Sequence, residues 1–389
     1  MKHVLLYLAV GASLSLLSSC SKERSSLSTI SLVTPTEQSE PPAGLLSQME
    51  PIGFTVLQKS PNYQLRSIKK VVFTEDGHLL VLDNQTDFQD VWLFSPDGTF
   101  IRKIGEQGSE ENAYEGLNDV EVRGNEITLL AAGRRSLYQY DLQGNLLNKK
   151  ATGAIGDGVV RDAAGNFYLY NEHSATEVSG YHYVVVYDPN GNLLNQFLPY
   201  GADRENLAYE YTGFITRSGN EILVNPPFGN TVYTITPTSC TPKYQFDFGS
   251  DNVPEALASQ PIRFPDVEQY GFLNEWLAVT GDWMQVEYQH QNRIRHGWAD
   301  LSTNQLFNLS DLAPDPISKL ISRSTVMPKA NQQVAVLLRP EQIAALFQSN
   351  QVQVEQLNTL YPGLGTALEV AAAEAEPVLI YLKEKQEQS

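Results

Sequence analysis

Two adjacent arginines, Arg134 and Arg135, are unusual in a chain whose formal net charge is −18. A planar guanidinium group pairs with carboxylates and stacks on sugars or aromatic rings. We predict both arginines as candidate ligand-binding residues. The alternative is a pair of surface salt bridges, in which case neither side chain would face a ligand.

Amide and aromatic side chains of other loops complete this candidate site. Asn171 and Asn225 follow the predicted second strands of a repeated unit, and Phe228 lies in the loop after Asn225. Tyr209 and Tyr211 could form a platform on which a sugar or a peptide stacks. They could equally pack a long loop onto the rim of the domain. Because functional residues favour loops on a rigid scaffold, we predict that these residues share one binding face with the arginines.

The sequence carries no residue pattern typical of catalysis or of a cofactor site. His290 and His296 are six residues apart, without the spacing of zinc ligands. There is no Gly-x-Ser-x-Gly elbow, no phosphate-binding loop and no His-Glu-x-x-His motif. A calcium site at the ends of second strands would have to use Asp83, Ala131, Asn171 and Asn225, and alanine cannot ligate a metal. We therefore predict no catalytic residue, no metal and no cofactor.

Cys20 predicts a second kind of chemistry, the attachment of lipid. It ends the run Leu17-Ser18-Ser19-Cys20, directly after an apolar stretch over residues 4–17 that is too short to span a bilayer comfortably. The pattern resembles a bacterial lipoprotein signal. That resemblance implies cleavage before Cys20, acyl chains such as palmitate on this residue, and firm tethering to a membrane. An ordinary secretory signal that contains a cysteine is the alternative.

The position after the cysteine bears on location. Ser21 stands there, and in lipoproteins generally the lack of Asp at this position favours the outer membrane. We predict an outer-membrane lipid anchor facing the periplasm or the cell surface. Residues 1–19 would be the signal peptide, 20–50 the lipidated cysteine and a flexible tether rich in Ser, Thr and Pro, and 51–389 the folded domain.

Composition limits the partners and the class of fold. Hydrophobic residues make up 42% of the 389 residues, which is typical of a globular chain with a core. The acidic balance argues against nucleic acid, whose phosphates would be repelled. With Cys20 acylated, Cys240 has no partner for an internal disulfide, so the fold must rest on packing.

A repeated unit of four strands and two glycine turns begins at Ser67. The first-turn glycines recur at steps of 47, 41 and 54 residues, and Asp-Gly and Gly-Asn pairs are typical of tight hairpins. Four strands in 40 to 50 residues is the spacing of a β-propeller. The glycines of the first and second turns are Gly77, Gly124, Gly165 and Gly219, and Gly98, Gly144 and Gly191.

We predict an all-β fold, a six-bladed β-propeller of four-stranded blades. The fifth blade would occupy residues 270–300, and the sixth would use residues 305–309 and 334–338. A short helical insert beginning near Pro340 would precede the C-terminal strand at residues 377–382. We expect that strand to pair with residues 54–57 and close the ring, because closure removes free strand edges.

The arrangement resembles the six-bladed β-propeller lipoproteins, an NHL-like family of the Gram-negative envelope. The resemblance rests on residues 102–108, on 231–235 followed by 242–249, and on 376–383. It implies fold and location but no reaction. The sequence thus favours a lipid-anchored, non-enzymatic binding module for a glycan, a peptide or a protein partner. A calcium-dependent propeller hydrolase or lyase is one alternative, and a structural subunit of an outer-membrane uptake complex is another.

Overall fold

The computed structural model describes most of the chain from residue 27 to residue 385. The described ranges are 27–33, 45–61, 63, 65–85, 88–172, 174–204, 214–258, 264–312, 315–321, 324–329, 333–348 and 353–385. Cys20, Tyr209 and Tyr211 lie outside these ranges. The lipid site and two of the predicted ligand-binding residues therefore remain predictions.

Strands dominate the first half of the chain. In chain order they are β1 (Ser28–Leu32), β2 (Met49–Val56), β3 (Ile68–Phe73), β4 (Leu79–Gln85), β5 (Phe88–Phe94), β6 (Phe100–Lys103), β7 (Leu117–Arg123), β8 (Glu126–Ala131), β9 (Ser136–Tyr140), β10 (Leu146–Ala151), β11 (Gly158–Arg161), β12 (Phe167–Tyr170), β13 (His182–Tyr187) and β14 (Leu193–Pro199).

The second half adds the helices. Its strands are β15 (Phe214–Ser218), β16 (Glu221–Asn225), β17 (Thr231–Ile235), β18 (Cys240–Asp247), β19 (Phe272–Thr280), β20 (Trp283–His290), β21 (Arg293–Asp300), β22 (Gln305–Asn308), β23 (Thr325–Lys329), β24 (Gln333–Leu338) and β25 (Val378–Glu384). Its helices are α1 (Glu255–Ala258), α2 (Phe264–Val267), α3 (Pro316–Ile321), α4 (Pro340–Gln348), α5 (Val354–Leu360) and α6 (Leu364–Glu374).

These strands form antiparallel meanders arranged around a centre. Four sheets of the described chain have four strands each, namely β3–β6, β7–β10, β11–β14 and β2-β25-β24-β23. A nine-stranded sheet has the order β15-β16-β17-β18-β1-β22-β21-β20-β19. The first strands β3, β7, β11, β15, β19 and β23 contact one another in a closed ring. The architecture is therefore all-β and propeller-like, as the repeat predicts.

Burial follows the distance from the centre. The second strands β4, β8 and β12 are almost wholly buried, because neighbouring sheets cover both of their faces. The fourth strands β6 and β10 are largely exposed at the rim. Apolar side chains of adjacent sheets mix in shared clusters, such as Leu80 and Leu82 with Val120 and Leu129. The core thus lies between the sheets, around the ring.

The glycine turns adopt the predicted hairpin geometry. Gly98 has a φ of +87°, and a Cβ placed there would lie 1.9 Å from the carbonyl oxygen of Val56. That turn sits against β2, where Thr55 Oγ1 donates to the carbonyl of Pro96 at 3.0 Å. Only glycine fits both the backbone conformation and the close approach.

Ring closure and the helical insert are confirmed. The closing strand β25 pairs antiparallel with β2 on one side and with β24 on the other, so it lies inside its sheet. Helices α4 to α6 stand between β24 and β25 in sequence, and Leu346, Leu357 and Leu368 pack with Trp298 in one buried cluster.

Two assignments near the C-terminus are wrong. The segment Gln305–Asn308 pairs with β21 and so belongs with β19 to β21, not with the last sheet. The innermost strand of the last sheet is β23, which the sequence analysis does not predict. The sequence between β23 and β24 contains no glycine, so the repeat gives no signal there.

The range assigned to the tether contains folded structure. Strand β1 inserts between β18 and β22, parallel to both, and joins two four-stranded halves into the nine-stranded sheet. Ile30 is 0% exposed in this position. Strand β2 also begins at Met49, before the predicted domain boundary, and Met49 is buried. The chain between the predicted lipid site and the ring is therefore shorter than the expected tether.

Candidate functional site

The loops after second strands hold the described residues of the predicted site. Arg134 and Arg135 lie between β8 and β9, Asn171 follows β12, and Asn225 and Phe228 lie at the end of β16 and just beyond it. In each sheet this is the end opposite the glycine turns, as the strand register predicts. The structure therefore places them on the expected face, but on three successive sheets.

Arg134 is engaged within the protein. Its Nη2 donates to the carbonyl oxygens of Gly108 at 3.3 Å and Ser109 at 2.8 Å, and its Nε lies 3.2 Å from Glu115 Oε2. These contacts tie the β8–β9 loop to the loop before β7. The salt-bridge alternative therefore describes Arg134, whereas the neighbouring Arg135 is exposed.

Asn171, Asn225 and Phe228 are buried. Asn171 is 0% exposed and donates to the carbonyl of Ser174 at 3.1 Å, so it shapes its own loop. Asn225 is also 0% exposed and donates to the carbonyl of Thr231 at 2.9 Å. The ring of Phe228 packs edge-on against Phe272, with 5.1 Å between ring centroids. These side chains hold loops in place and offer little surface to a ligand.

A channel lies at the centre of the ring. Its volume is about 900 Å³, and its walls come from all of the first strands. None of the five described residues of the predicted site, Arg134, Arg135, Asn171, Asn225 and Phe228, lines it. The charged side chains in its wall are Lys69, Lys70, Glu75, Asp119, Glu121, Arg123, Asp157, Glu172, Arg217 and Lys329.

Asp119 joins three sheets at one side of the channel. Its Oδ1 lies 2.8 Å from the Nζ of Lys70 on β3, and its Oδ2 accepts the backbone N–H of Val159 on β11 at 2.8 Å. Asp119 itself stands on β7 and is 6% exposed. A buried carboxylate with this set of donors fixes its neighbours, because any loosened contact would leave a charge unpaired.

Glu121, two residues further along β7, has a different environment. It is 4% exposed, and its nearest cation is Arg217, whose Nη2 lies 3.5 Å from Oε1. Neither carboxylate oxygen accepts a hydrogen bond from the described residues. Burial raises the pKa of Glu121, and the cations Arg217, Arg161, Lys70 and Arg123 oppose this shift. Glu121 is thus a buried acceptor in the channel wall that the protein itself leaves largely unused.

The opposite wall of the channel is largely apolar, apart from Lys329 at the end of β23. Strands β19 and β23 contribute Leu277, Val279, Val326 and Met327. A cavity with one charged and one apolar wall can hold an amphipathic molecule, since a few polar groups orient it while the apolar surface excludes water.

The histidine and cysteine side chains that could take part in catalysis or metal binding are held or buried by the fold. His290 Nε2 lies 2.9 Å from Asp251 Oδ2. Burial lowers the pKa of His296 and raises that of Cys240 to about 11, so this thiol stays protonated at neutral pH. Over the described ranges, no group of three or more His, Cys, Asp or Glu could hold a metal ion.

Sequence reasoning missed the channel residues, although a signal is present. Asp119, Glu121 and Arg123 alternate along one strand, which places their side chains on one face. A strand of a repeat with charges at every second position is a candidate for a polar channel wall. The predicted site uses amides and aromatics of the loops instead, because loops on a rigid scaffold are the usual location of sites.

Comparison with known proteins gives the family. A family model described as a domain of unknown function, DUF4934, matches residues 29–383. The chain belongs to the DUF4934 family. The match begins within β1, so the DUF4934 domain includes the bridging strand that the sequence analysis assigned to a tether. No curated protein matches the chain.

Two solved structures from Bacteroides resemble this DUF4934 protein. A Bacteroides fragilis protein named "Putative exported protein" is 16% identical, with a TM-score of 0.73 over 92% of this chain and 100% of that chain. A DUF4221 family member from Bacteroides vulgatus is 9% identical, with a TM-score of 0.53 over 87% of this chain and 99% of that chain. At these identities the likeness concerns the fold alone. No helix in the described ranges is long and apolar enough to cross a membrane.

Proposed function

We propose that this DUF4934 protein is a lipid-anchored binding module of the cell envelope whose ligand occupies the central channel. The partner would be a glycan, a peptide or an exposed segment of an outer-membrane protein. The scaffold would be a propeller of six blades. We count six because β1 alone joins the β15–β18 and β19–β22 halves of the nine-stranded sheet.

The observation that carries this proposal is Glu121 in the wall of the channel. Its carboxylate is buried and accepts no hydrogen bond from the described residues, yet it borders a cavity of about 900 Å³. Buried polar groups are normally hydrogen-bonded, and leaving one without a donor costs free energy. A ligand that donates to Glu121 would supply the missing hydrogen bond. If it also covered the apolar surface of Leu277 and Val279, it would gain free energy from burying that surface.

Filling the channel is expected to abolish ligand binding. Val72 lines the channel from β3, and Val72→Trp would place an indole in the space. Leu147→Trp is the matched control, because Leu147 is 55% exposed on the outer strand β10. On a glycan and peptide array, ligands of the natural protein should be lost with V72W, by at least about tenfold in affinity, and retained with L147W. Equal binding by V72W would place the ligand elsewhere.

Removal of the lipid site is expected to release the protein from membranes. Cys20→Ala prevents acylation, and acyl chains would supply most of the attachment. In cell fractionation the variant should move to the soluble fraction, while Cys240→Ala, the other cysteine of the chain, should remain with membranes. Retention of C20A in the membrane fraction would contradict the lipoprotein assignment.

A further inference from the structure

Three cations on three different sheets lie around one mouth of the channel. Arg123 ends β7, Lys329 ends β23, and Arg217 is the last residue but one of β15. All three line the channel where its wall is formed by the turns after the first strands, including Gly124 and Gly219. The mouth on the glycine-turn side therefore has a concentration of positive charge.

The contacts of these cations leave their charge largely uncompensated. Arg123 Nη1 donates to the carbonyl of Arg161 at 3.1 Å, and Lys329 Nζ lies 3.8 Å from the centroid of the Tyr381 ring. No carboxylate of the described residues forms an ion pair with Arg123 or Lys329. Arg217 Nη2 donates to the carbonyl of Val122 at 3.0 Å and lies 3.5 Å from Glu121 Oε1. Glu75, in an exposed turn, is the acidic residue that lines this mouth.

The other mouth has the opposite balance. Asp119, Asp157 and Glu172 stand there with Lys69 and Lys70, and Lys70 is already paired with Asp119 at 2.8 Å. Across the channel, cations thus outnumber acids at one end and acids outnumber cations at the other. An amphipathic molecule with one charged group would be bound in a single orientation.

Building on the channel site proposed above, we propose that the ligand carries a carboxylate and inserts through the glycine-turn mouth. Arg123 and Arg217 would hold the carboxylate, since the guanidinium of Arg217 reaches the strand that ends at Arg123. Lys329 would add positive charge at the same mouth. The remainder of the molecule would lie against Leu277, Val279 and Met327 and donate a hydroxyl or an N–H to Glu121. An acidic sugar has this chemistry, because it combines a carboxylate with hydroxyl donors on an otherwise less polar ring.

Two physical arguments support the assignment. An arginine fork binds a carboxylate with two parallel hydrogen bonds, which gives both strength and orientation. In addition, a chain of net charge −18 repels anions at long range, so a local cluster of cations is needed to bind one.

The test compares glucuronate with glucose, which differ by the carboxylate, in calorimetric titrations of the full mature chain. Glucuronate should bind at least about tenfold more tightly than glucose. Lys329→Gln and Arg123→Gln should each weaken glucuronate binding severalfold with the thermal midpoint retained. Among the described residues, the ammonium of Lys329 contacts the rings of Tyr381 and Phe73. Lys59→Gln, on the exposed surface, is the control and should bind as the natural protein does.

The outcomes separate this inference from the proposed channel site. Equal binding of both sugars, lost in V72W, would overturn the carboxylate assignment and leave the channel site standing. Selective binding of glucuronate that K329Q and R123Q leave unchanged would overturn the assignment of the mouth. Failure of glucuronate to bind at millimolar concentrations would overturn the inference, while the array with V72W would still decide the channel site.

Discussion

A chain that ends at Glu376 is expected to lose its cooperative fold. The deletion removes β25, which pairs with both β2 and β24. It also removes Val378, Leu379, Ile380 and Leu382, each at most 1% exposed. Burial of such a side chain contributes about 1.5–3 kcal/mol, so four contribute about 6–12 kcal/mol, against a total stability of about 5–15 kcal/mol.

The measurement is thermal unfolding followed by circular dichroism. A chain that ends at Lys385 keeps all of β25 and serves as the control, which should unfold like the natural protein. The shorter chain should show no cooperative transition. An unchanged midpoint in the shorter chain would mean that β25 is dispensable, and ring closure would not explain the stability of the domain.

Asp119→Ala is expected to destabilise the protein by about 3 kcal/mol or more. The substitution leaves Lys70 without its partner and removes the acceptor of the Val159 N–H, and breaking a buried pair in this way typically costs about 3–5 kcal/mol. Because Asp119 joins β3, β7 and β11, the loss should loosen the ring where the first three repeats meet. Denaturant unfolding of the variant measures the change in the free energy of unfolding.

An exposed ion pair of the same length provides the control. Glu106 Oε2 lies 2.8 Å from the Nζ of Lys103, but the side chain of Glu106 is 76% exposed. Glu106→Ala should change the free energy of unfolding by less than about 1 kcal/mol, as is usual for surface pairs. If D119A and E106A had equal effects, burial would not be the source of the strength of the Asp119 contacts.

The fold is readable from this sequence because its turns are local signals. Gly77, Gly98, Gly144 and Gly191 each require a positive φ, and their spacing marks the hairpins of the repeat. The signal fails where a turn lacks glycine, as between β23 and β24, and Gln305–Asn308 was therefore assigned to the wrong sheet. Its hairpin with β21 turns over residues 301–304, where Asn304 and no glycine adopts the positive φ.

The N-terminal segment shows another limit. Residues 21–50 have the polar, proline-containing composition of a tether, yet Ile30 is buried where β1 pairs with β18 and β22. A strand of five residues between two sheet edges gains most of its stability from those edges. Five residues are too few for their own sequence pattern to predict the strand.

The candidate site was only partly predictable for a related reason. Asn225 and Arg134 have the residue types of a binding surface, and their face of the fold follows from strand order. Whether a side chain reaches solvent depends on its neighbours. Here Asn225 donates to the carbonyl of Thr231, and Arg134 pairs with Glu115. Glu121 and Arg123 show only the ordinary alternation of a β-strand in sequence. Their face becomes a channel wall through the arrangement of the six first strands in a ring, which the alternation does not reveal.

The position of a bound ligand tests the central claim most directly. We suggest a crystal structure of the protein with the tightest-binding member of the glycan and peptide array. The account predicts ligand density in the central channel, within hydrogen-bonding distance of Glu121 and in contact with Leu277 and Val279. Density on the loop face beside Arg135, with the channel empty, would contradict it.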